Sequence, residues 1–172
     1  MKISKVRNVK TPERGTAKSA GIDFFVPNDF IKKVLPPHSD ILIPSGIKAN
    51  PEGYMLMAAD KSGVVTSRMA ALRAGRKPKA EAFDTVVILG AKIVDEDYQG
   101  EIHIHLVNVG NAPVIIKPGM KIAQFILVPV SYQGIEVVPE TELFSETTER
   151  GDGGFGSTDN KSDIEPLKPE EL

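Results

Sequence analysis

Turn-forming residues interrupt this chain at short, nearly regular intervals. Its 172 residues include 15 glycines and 13 prolines, spread along the whole sequence. In the first third, Pro36-Pro37-His38-Ser39, Pro44-Ser45-Gly46 and Asn50-Pro51-Glu52-Gly53 separate short apolar or alternating runs. Turn signals at this spacing are typical of β-sandwiches and barrels, and scattered prolines disfavour long helices. The sequence therefore predicts an all-β domain.

The strand-like pattern is interrupted once, at residues 66–82, and then resumes. The segment 66–82, TSRMAALRAGRKPKAEA, is rich in alanine and arginine and predicts a basic surface excursion with a short helix. The alternative is a basic flap that binds phosphates or a partner. Strand-like runs follow as DTVVILGAKIV, GEIHIHLVNVG, APVIIKPGMKIAQFILVPV and GIEVVPE, with DEDYQG predicted as a hairpin tip. We expect a β domain over 1–140 with an insertion at about 66–85. A Gly-rich C-terminal arm over 141–158 and a disordered acidic tail over 159–172 complete the chain.

Composition excludes several classes of function. The 21 basic and 23 acidic residues nearly balance, so no field for nucleic acid is expected. No run of 18 apolar residues predicts a membrane span, and the N-terminus lacks the apolar region of a secretory signal. The chain has no cysteine, which excludes disulfides and thiolate catalysis and is compatible with a cytoplasmic location.

The arm contains the stretch ERGDGGFGST at 149–158. It matches G-x-G-x-x-G, but the strand and helix that a dinucleotide site requires are missing around it. Glycine amides, Arg150, Ser157 and Thr158 can donate to phosphate oxygens, while Phe155 can stack on a base. The stretch thus reads either as a nucleotide lid or as a plain disordered tail.

Three further clusters carry polar groups. DKSGV, from Asp60 to Val64, combines a cation, a hydroxyl and a free amide, but it is also an ordinary turn. VDEDYQGE places carboxylates and Tyr98 at the predicted hairpin, where one carboxylate could act as a general base. His103 and His105 share a strand face, which indicates a polar or interface face more than a metal pair.

Five segments occur in an order that resembles the trimeric deoxyuridine triphosphatases (dUTPases). They are AGIDFF (20–25), DKSGV (60–64), IVDEDYQGE (93–101), KIAQ (121–124) and RGDGGFGST (150–158). The resemblance spans roughly residues 1–158 and implies a β jelly-roll subunit in a homotrimer with shared active sites. It also implies Mg²⁺-dependent hydrolysis of dUTP to dUMP and pyrophosphate.

The resemblance assigns roles by position. Asp95 is expected to be the general base, Tyr98 to pack on the deoxyribose, and Asp23 to belong to the shell of metal-bound water. Phosphate contacts are expected from Lys61, Ser62, Gly63, Gln124, Arg150, Gly156, Ser157 and Thr158. Phe155 is expected to stack over uracil.

The chain departs from the family pattern in three places. Lys61 and Lys121 stand where the family usually has arginine, which removes a bidentate fork but keeps the charge. The stretch between the second and third motifs is longer than usual; such insertions, and tails past Thr158, occur mainly in viral members, including those of phages. Two alternatives remain: a dUTPase-like protein that binds nucleotide as a switch, and a dCTP deaminase of the same fold. The deaminase is disfavoured because His105 stands at the position of its catalytic glutamate.

Overall fold

A computed structural model describes residues 1–61 and 86–153. The chain forms two compact units, residues 1–131 and 132–172. The first unit contains these strands: β1 Lys2–Lys5, β2 Glu13–Arg14, β3 Ile22–Phe25, β4 Lys33–Leu35, β5 Ser39–Pro44, β6 Ile47–Asn50, β7 Tyr54–Ala59, β8 Val87–Leu89, β9 Ile93–Val94, β10 His103–Asn108, β11 Val114–Ile116 and β12 Lys121–Pro129. This confirms the all-β prediction.

The strands pair antiparallel in four sheets. The largest has the order β2-β3-β12-β7-β9, and a second has the order β5-β10-β8. Two-stranded sheets are formed by β1 with β6 and by β4 with β11. Neighbours in these sheets are mostly far apart in sequence, as in the predicted jelly roll.

The core follows the alternation of side chains along the strands. In β10, Ile104, Leu106 and Asn108 face inward, whereas His103 and His105 lie on the other face. Phe24 of β3 and Phe125 of β12 pack at the centre, with ring centroids 4.4 Å apart. These contacts fix β3 against β12, the strand pair that carries part of the candidate site.

Two sequence-based predictions for local structure were wrong. DEDYQG is not a hairpin tip, because the strands flanking it, β9 and β10, belong to different sheets. GIEVVPE is not a strand: Ile135 and Val137 are almost fully exposed and bury no apolar surface that would favour one. The second unit instead contains helix α1, Glu140–Leu143.

The basic insertion at about 66–85, with its predicted helix, lies outside the described residues. The predicted limits of the domain, arm and tail stay predictions. Among the residues that the structure describes, no helix is long and apolar enough to cross a membrane.

Candidate active site

The first cluster of predicted site residues lies where β3, β12 and β7 run side by side. Gln124 of β12 is paired in register with Asp23 of β3 on one side and with Ala59 of β7 on the other. Lys61 lies two residues after the end of β7, and Lys121 begins β12. Three segments far apart in sequence therefore bring Asp23, Lys61, Lys121 and Gln124 together, and we call these four residues the lysine cluster.

Asp23 is the centre of the lysine cluster. It is buried, and its two carboxylate oxygens are each paired with a lysine: Oδ1 with Lys61 Nζ at 2.9 Å and Oδ2 with Lys121 Nζ at 2.7 Å. Burial alone raises the pKa of the carboxyl, but hydrogen bonds from Lys121 and Lys61 and their charges outweigh burial and lower the pKa. Asp23 therefore holds two partly exposed ammonium groups side by side.

Gln124 is held by close packing on both sides. Its Nε2 donates to the backbone carbonyl of Asp60 at 3.0 Å. A Cβ on Gly21 would lie only 2.1 Å from Gln124 Oε1, so the glycine leaves the space that the amide occupies. The Asp60 side chain accepts from the backbone N–H of Leu89 at 2.6 Å, which fixes the end of β7 beside β8.

The second cluster surrounds the loop of residues 95–101, which we call the 95–101 loop. A shallow depression of about 190 Å³ is lined by Ile93, Val94, Asp95, Tyr98, Ile102 and His103. Asp95 is exposed there, and its carboxylate has no hydrogen bond or ion pair within residues 1–61 and 86–153. By contrast, the neighbouring Glu96 accepts from the backbone N–H of Gly53.

Tyr98 is fixed against its own loop. Its hydroxyl donates to the Glu101 carbonyl at 3.0 Å. Its ring passes over Gly100, where an added Cβ would lie 2.3 Å from the tyrosine oxygen. The glycine at position 100 thus has a steric reason.

The two clusters lie at opposite ends of β7. Asp95 follows β9, whose Val94 is paired with Leu56 of β7, whereas Lys61 lies beyond the other end of β7. Leu56 and Lys61 are separated by five residues, or roughly 17 Å along the strand, and β9 is three strands away from β3. The depression beside Asp95 is also below the roughly 300 Å³ at which ligand pockets begin.

Of the remaining predicted residues, the structure describes only Arg150. Arg150 belongs to the second unit, where its Nε donates to the Gly153 carbonyl at 2.9 Å and Gly151 adopts a φ of 53°. The structure does not describe the following predicted contacts: Ser62, Gly63, Phe155, Gly156, Ser157 and Thr158.

The two histidines of β10 have separate partners. His103 Nδ1 lies 2.8 Å from the Glu101 carbonyl, and His105 Nε2 lies 3.0 Å from Asp40 Oδ2. Nowhere in the described part of the chain do three or more histidine, cysteine, aspartate or glutamate residues group to hold a metal. The two side chains lie on one face of β10, each with its own hydrogen-bond partner.

Sequence reasoning did not include Lys121, Glu101 or Arg7 among the site residues. Lys121 departs from the family pattern, and a charge at the start of an apolar strand is the sequence signal that could have indicated a site residue. Arg7 lies 94 residues from Glu101, and local sequence contains no signal for their contact.

Comparison with known proteins shows which family this chain resembles. A sequence profile of dUTPases matches residues 40–159. A deoxyuridine 5'-triphosphate nucleotidohydrolase of Hydrogenobaculum sp. is 35% identical over 161 residues, covering 92% of this chain and 97% of the relative.

Two solved phage enzymes share the fold. The Staphylococcus bacteriophage 80alpha dUTPase with dUPNHPP has a TM-score of 0.70 at 23% identity, over 91% of this chain and 96% of that one. A mutant dUTPase from phage phi11 of S. aureus, whose structure describes the coordination of a structural Mg(II) ion, has a TM-score of 0.63 at 22% identity, over 82% and 97%. With more than half of its length matched by the profile and with a relative of 35% identity over nearly its whole length, this chain belongs to the dUTPase family.

Proposed function

We propose that this dUTPase hydrolyses dUTP to dUMP and pyrophosphate with Asp95 as the general base. The observation that carries the proposal is the exposed carboxylate of Asp95, which has no hydrogen bond or ion pair within the described part of the chain and lies in a depression shared with Tyr98. In contrast, Asp23 and Glu101 are tied up in hydrogen bonds with cationic side chains. A carboxylate that is free to accept a proton can orient water and remove its proton as the water attacks phosphorus.

Tyr98 gives the nucleoside end of the site its selectivity. Its hydroxyl donates to the Glu101 carbonyl and its ring packs on Gly100, so moving the ring would break this hydrogen bond and this contact. A deoxyribose can pack on such a fixed face, whereas a 2′-hydroxyl would be pressed against an apolar surface without a partner. This arrangement favours dUTP over UTP.

The lysine cluster binds the triphosphate. Lys61 and Lys121 are partly exposed, and their shared partner Asp23 holds them at a fixed separation. Preorganised cations stabilise the charge that develops in phosphoryl transfer without having to reorient. We assign Gln124, Ser62, Gly63, Arg150, Gly156, Ser157 and Thr158 to the same phosphates, and Phe155 to the uracil face.

Mg²⁺ is the proposed cofactor, and Asp23 is the residue proposed for its shell of bound water. Each Asp23 oxygen accepts from one lysine, and a carboxylate oxygen has a second acceptor site that metal-bound water can use. Mg²⁺ needs few direct protein ligands when substrate phosphates supply the others. We therefore place the metal on the triphosphate, with Asp23 contacting it only through water.

The proposed oligomer is a homotrimer with sites between subunits. Within one subunit, the 95–101 loop and the lysine cluster lie at opposite ends of β7, five residues or roughly 17 Å apart along the strand. A cyclic trimer that places the loop of one subunit beside the lysine cluster of the next would make three complete sites.

The decisive experiment measures pyrophosphate released from a panel of nucleotides by the wild type and Asp95→Asn. We expect Asp95→Asn to lower kcat by about 10²–10⁴-fold with little change in KM, because a base acts only in the attack. Asp97→Asn is the matched control and should keep nearly normal turnover. Normal turnover by Asp95→Asn would move the base to Asp97 or Glu96, and ammonia released from dCTP would indicate a deaminase.

A further inference from the structure

Glu101 joins the 95–101 loop to the side chains that line the depression. Its backbone carbonyl accepts from the Tyr98 hydroxyl at 3.0 Å and from His103 Nδ1 at 2.8 Å. A carbonyl oxygen only accepts hydrogen bonds, so neutral His103 must carry its ring proton on Nδ1. One backbone atom thus orients two of the side chains beside Asp95.

The Glu101 side chain anchors that carbonyl from the other direction. Its Oε1 accepts from Arg7 Nε at 2.8 Å and from the backbone N–H of Gly46 at 2.8 Å. The Glu101 side chain is 16% exposed and that of Arg7 40%. Burial raises the pKa of Glu101, but the hydrogen bonds from Arg7 and Gly46 outweigh it and lower the pKa, so the carboxylate is ionised at neutral pH.

The surroundings hold Arg7 in place. Gly46 has a φ of 75°, and a Cβ there would lie 2.8 Å from Val9 Cγ1 and 3.1 Å from Arg7 Cβ. The N–H of Val6 donates to the Gly46 carbonyl at 2.8 Å. The stem of Arg7 is therefore packed against the turn that also donates to Glu101.

Backbone hydrogen bonds also connect the β5–β6 turn to Ile102 in the depression. Ile102, which lines the depression, accepts from Ser45 N–H and donates to the Ile47 carbonyl, both at 2.9 Å. Arg7, the β5–β6 turn and the end of the 95–101 loop therefore form one connected unit, which extends from a residue outside all five motifs to Tyr98.

We propose that Arg7, acting through Glu101, is a positioning residue that sets the sugar selectivity of the enzyme. The proposal rests on the role given above to Tyr98. Without the Arg7 guanidinium, the Glu101 carboxylate keeps only the Gly46 N–H and turns toward water. The carbonyl of the same residue then shifts, and with it the Tyr98 and His103 side chains.

The kinetic test compares Arg7→Met, which keeps the aliphatic stem, with Arg7→Lys, which keeps the charge. For Arg7→Met we expect KM for dUTP to rise about tenfold and the preference for dUTP over UTP to fall about tenfold, since small misplacements of positioning groups have effects of this size. The kcat at saturation should change little, because Asp95 is untouched. Arg7→Lys should restore most of the preference.

An NMR measurement tests the same inference without turnover. The chain has three histidines, so the ¹⁵N signals of the imidazole rings can be assigned. Above pH 8, His103 should show the Nδ1–H tautomer, whereas His105 should show the Nε2–H form, because its Nδ1 accepts from the Ala91 N–H. Arg7→Met should relax the tautomer of His103 and leave His105, the internal reference, unchanged.

Ile104→Val is the control for a simple loss of stability. Ile104 lies on β10 between the two histidines but is buried in the core. The Ile104→Val variant should have a lower melting temperature, with no change in either the preference for dUTP or the His103 tautomer. If Arg7→Met behaves like Ile104→Val, the ion pair is only structural and the proposal is wrong. If the wild type itself does not distinguish dUTP from UTP, the proposed role of Tyr98 is wrong. In that case, relaxation of the His103 tautomer in Arg7→Met still supports Arg7 as the residue that positions the loop. An unchanged His103 tautomer overturns the positioning role of Arg7.

Discussion

At the scale of single residues, Asp23 shows how one buried carboxylate supports two cations. We predict that Asp23→Asn lowers the free energy of unfolding by roughly 1.5–3 kcal/mol at pH 7, the value of hydrogen bonds to charged groups. Lys61 and Lys121 would lose their common counter-charge. Urea denaturation of the wild type and the variant measures the difference. An equal free energy of unfolding would show that the lysines are fully solvated in the variant.

The pH dependence of this effect has a defined sign. The pKa of Asp23 is lower in the folded chain than its unfolded value of about 3.9, so ionised Asp23 stabilises the fold above that pH. The stabilisation is lost as the pH falls through the folded pKa. The difference between the wild type and Asp23→Asn should therefore be constant from pH 5 to 7 and shrink below about pH 4.

The absence of a side chain at Gly21 leaves space for the Gln124 amide. We predict that Gly21→Ala raises KM for dUTP several-fold, because the new Cβ would occupy the position of the Gln124 amide. Gly15→Ala is the matched control in the same region, since its Cβ would meet only Ser19 Oγ at an ordinary 3.5 Å. Steady-state kinetics of the two variants decides the matter. Equal KM values would exclude Gln124 from phosphate binding.

At the scale of elements, alternation and turn residues were enough to predict most strands. β10 and β12 follow the pattern of apolar and polar residues, and Gly119, with a φ of 72°, precedes β12 where the turn was expected. The 95–101 loop was predicted to contain a hairpin tip because Gly100 stands in a turn position between two strand-like runs. Local sequence does not show that they belong to different sheets.

The site was predictable only where a motif carries its own signal. Asp95 and Tyr98 stand in one short segment, and the structure places both beside one depression. The lysine cluster required the register of β3 against β12, which places Asp23 opposite Gln124. The Arg7–Glu101 contact depends on the tertiary fold, so no local pattern could predict it.

The arm is an element whose role can be tested by removal. We predict that a chain ending at Glu149 folds and binds nucleotide weakly but turns over poorly, because closure of a lid excludes water and completes the phosphate shell. A chain ending at Thr158 keeps the whole motif and should have nearly normal kcat. Circular dichroism checks folding, and pyrophosphate release measures turnover. Loss of folding in the shorter chain would make the arm structural.

At the scale of the whole molecule, the division of the site into two clusters makes subunit exchange informative. Asp95→Asn removes the base from one cluster, and Lys61→Met removes a cation from the other. If each site combines the 95–101 loop of one subunit with the lysine cluster of another, a mixed trimer contains sites in which both are intact. Two inactive variants should then restore activity when they are combined.

The expected recovery can be stated in advance. After equal amounts of Asp95→Asn and Lys61→Met are co-refolded, random assembly gives each site an intact loop and an intact lysine cluster with a probability of about one quarter. The mixture should therefore reach about a quarter of wild-type activity per subunit, whereas each variant alone stays nearly inactive. A mixture of Lys61→Met with Gln124→Ala is the control: both changes lie in the same cluster, so exchange creates no intact site and no recovery is expected. If the first mixture also fails to recover although ion-exchange chromatography, which separates the variants by charge, shows mixed trimers, the two clusters act within one subunit and the shared-site proposal is wrong.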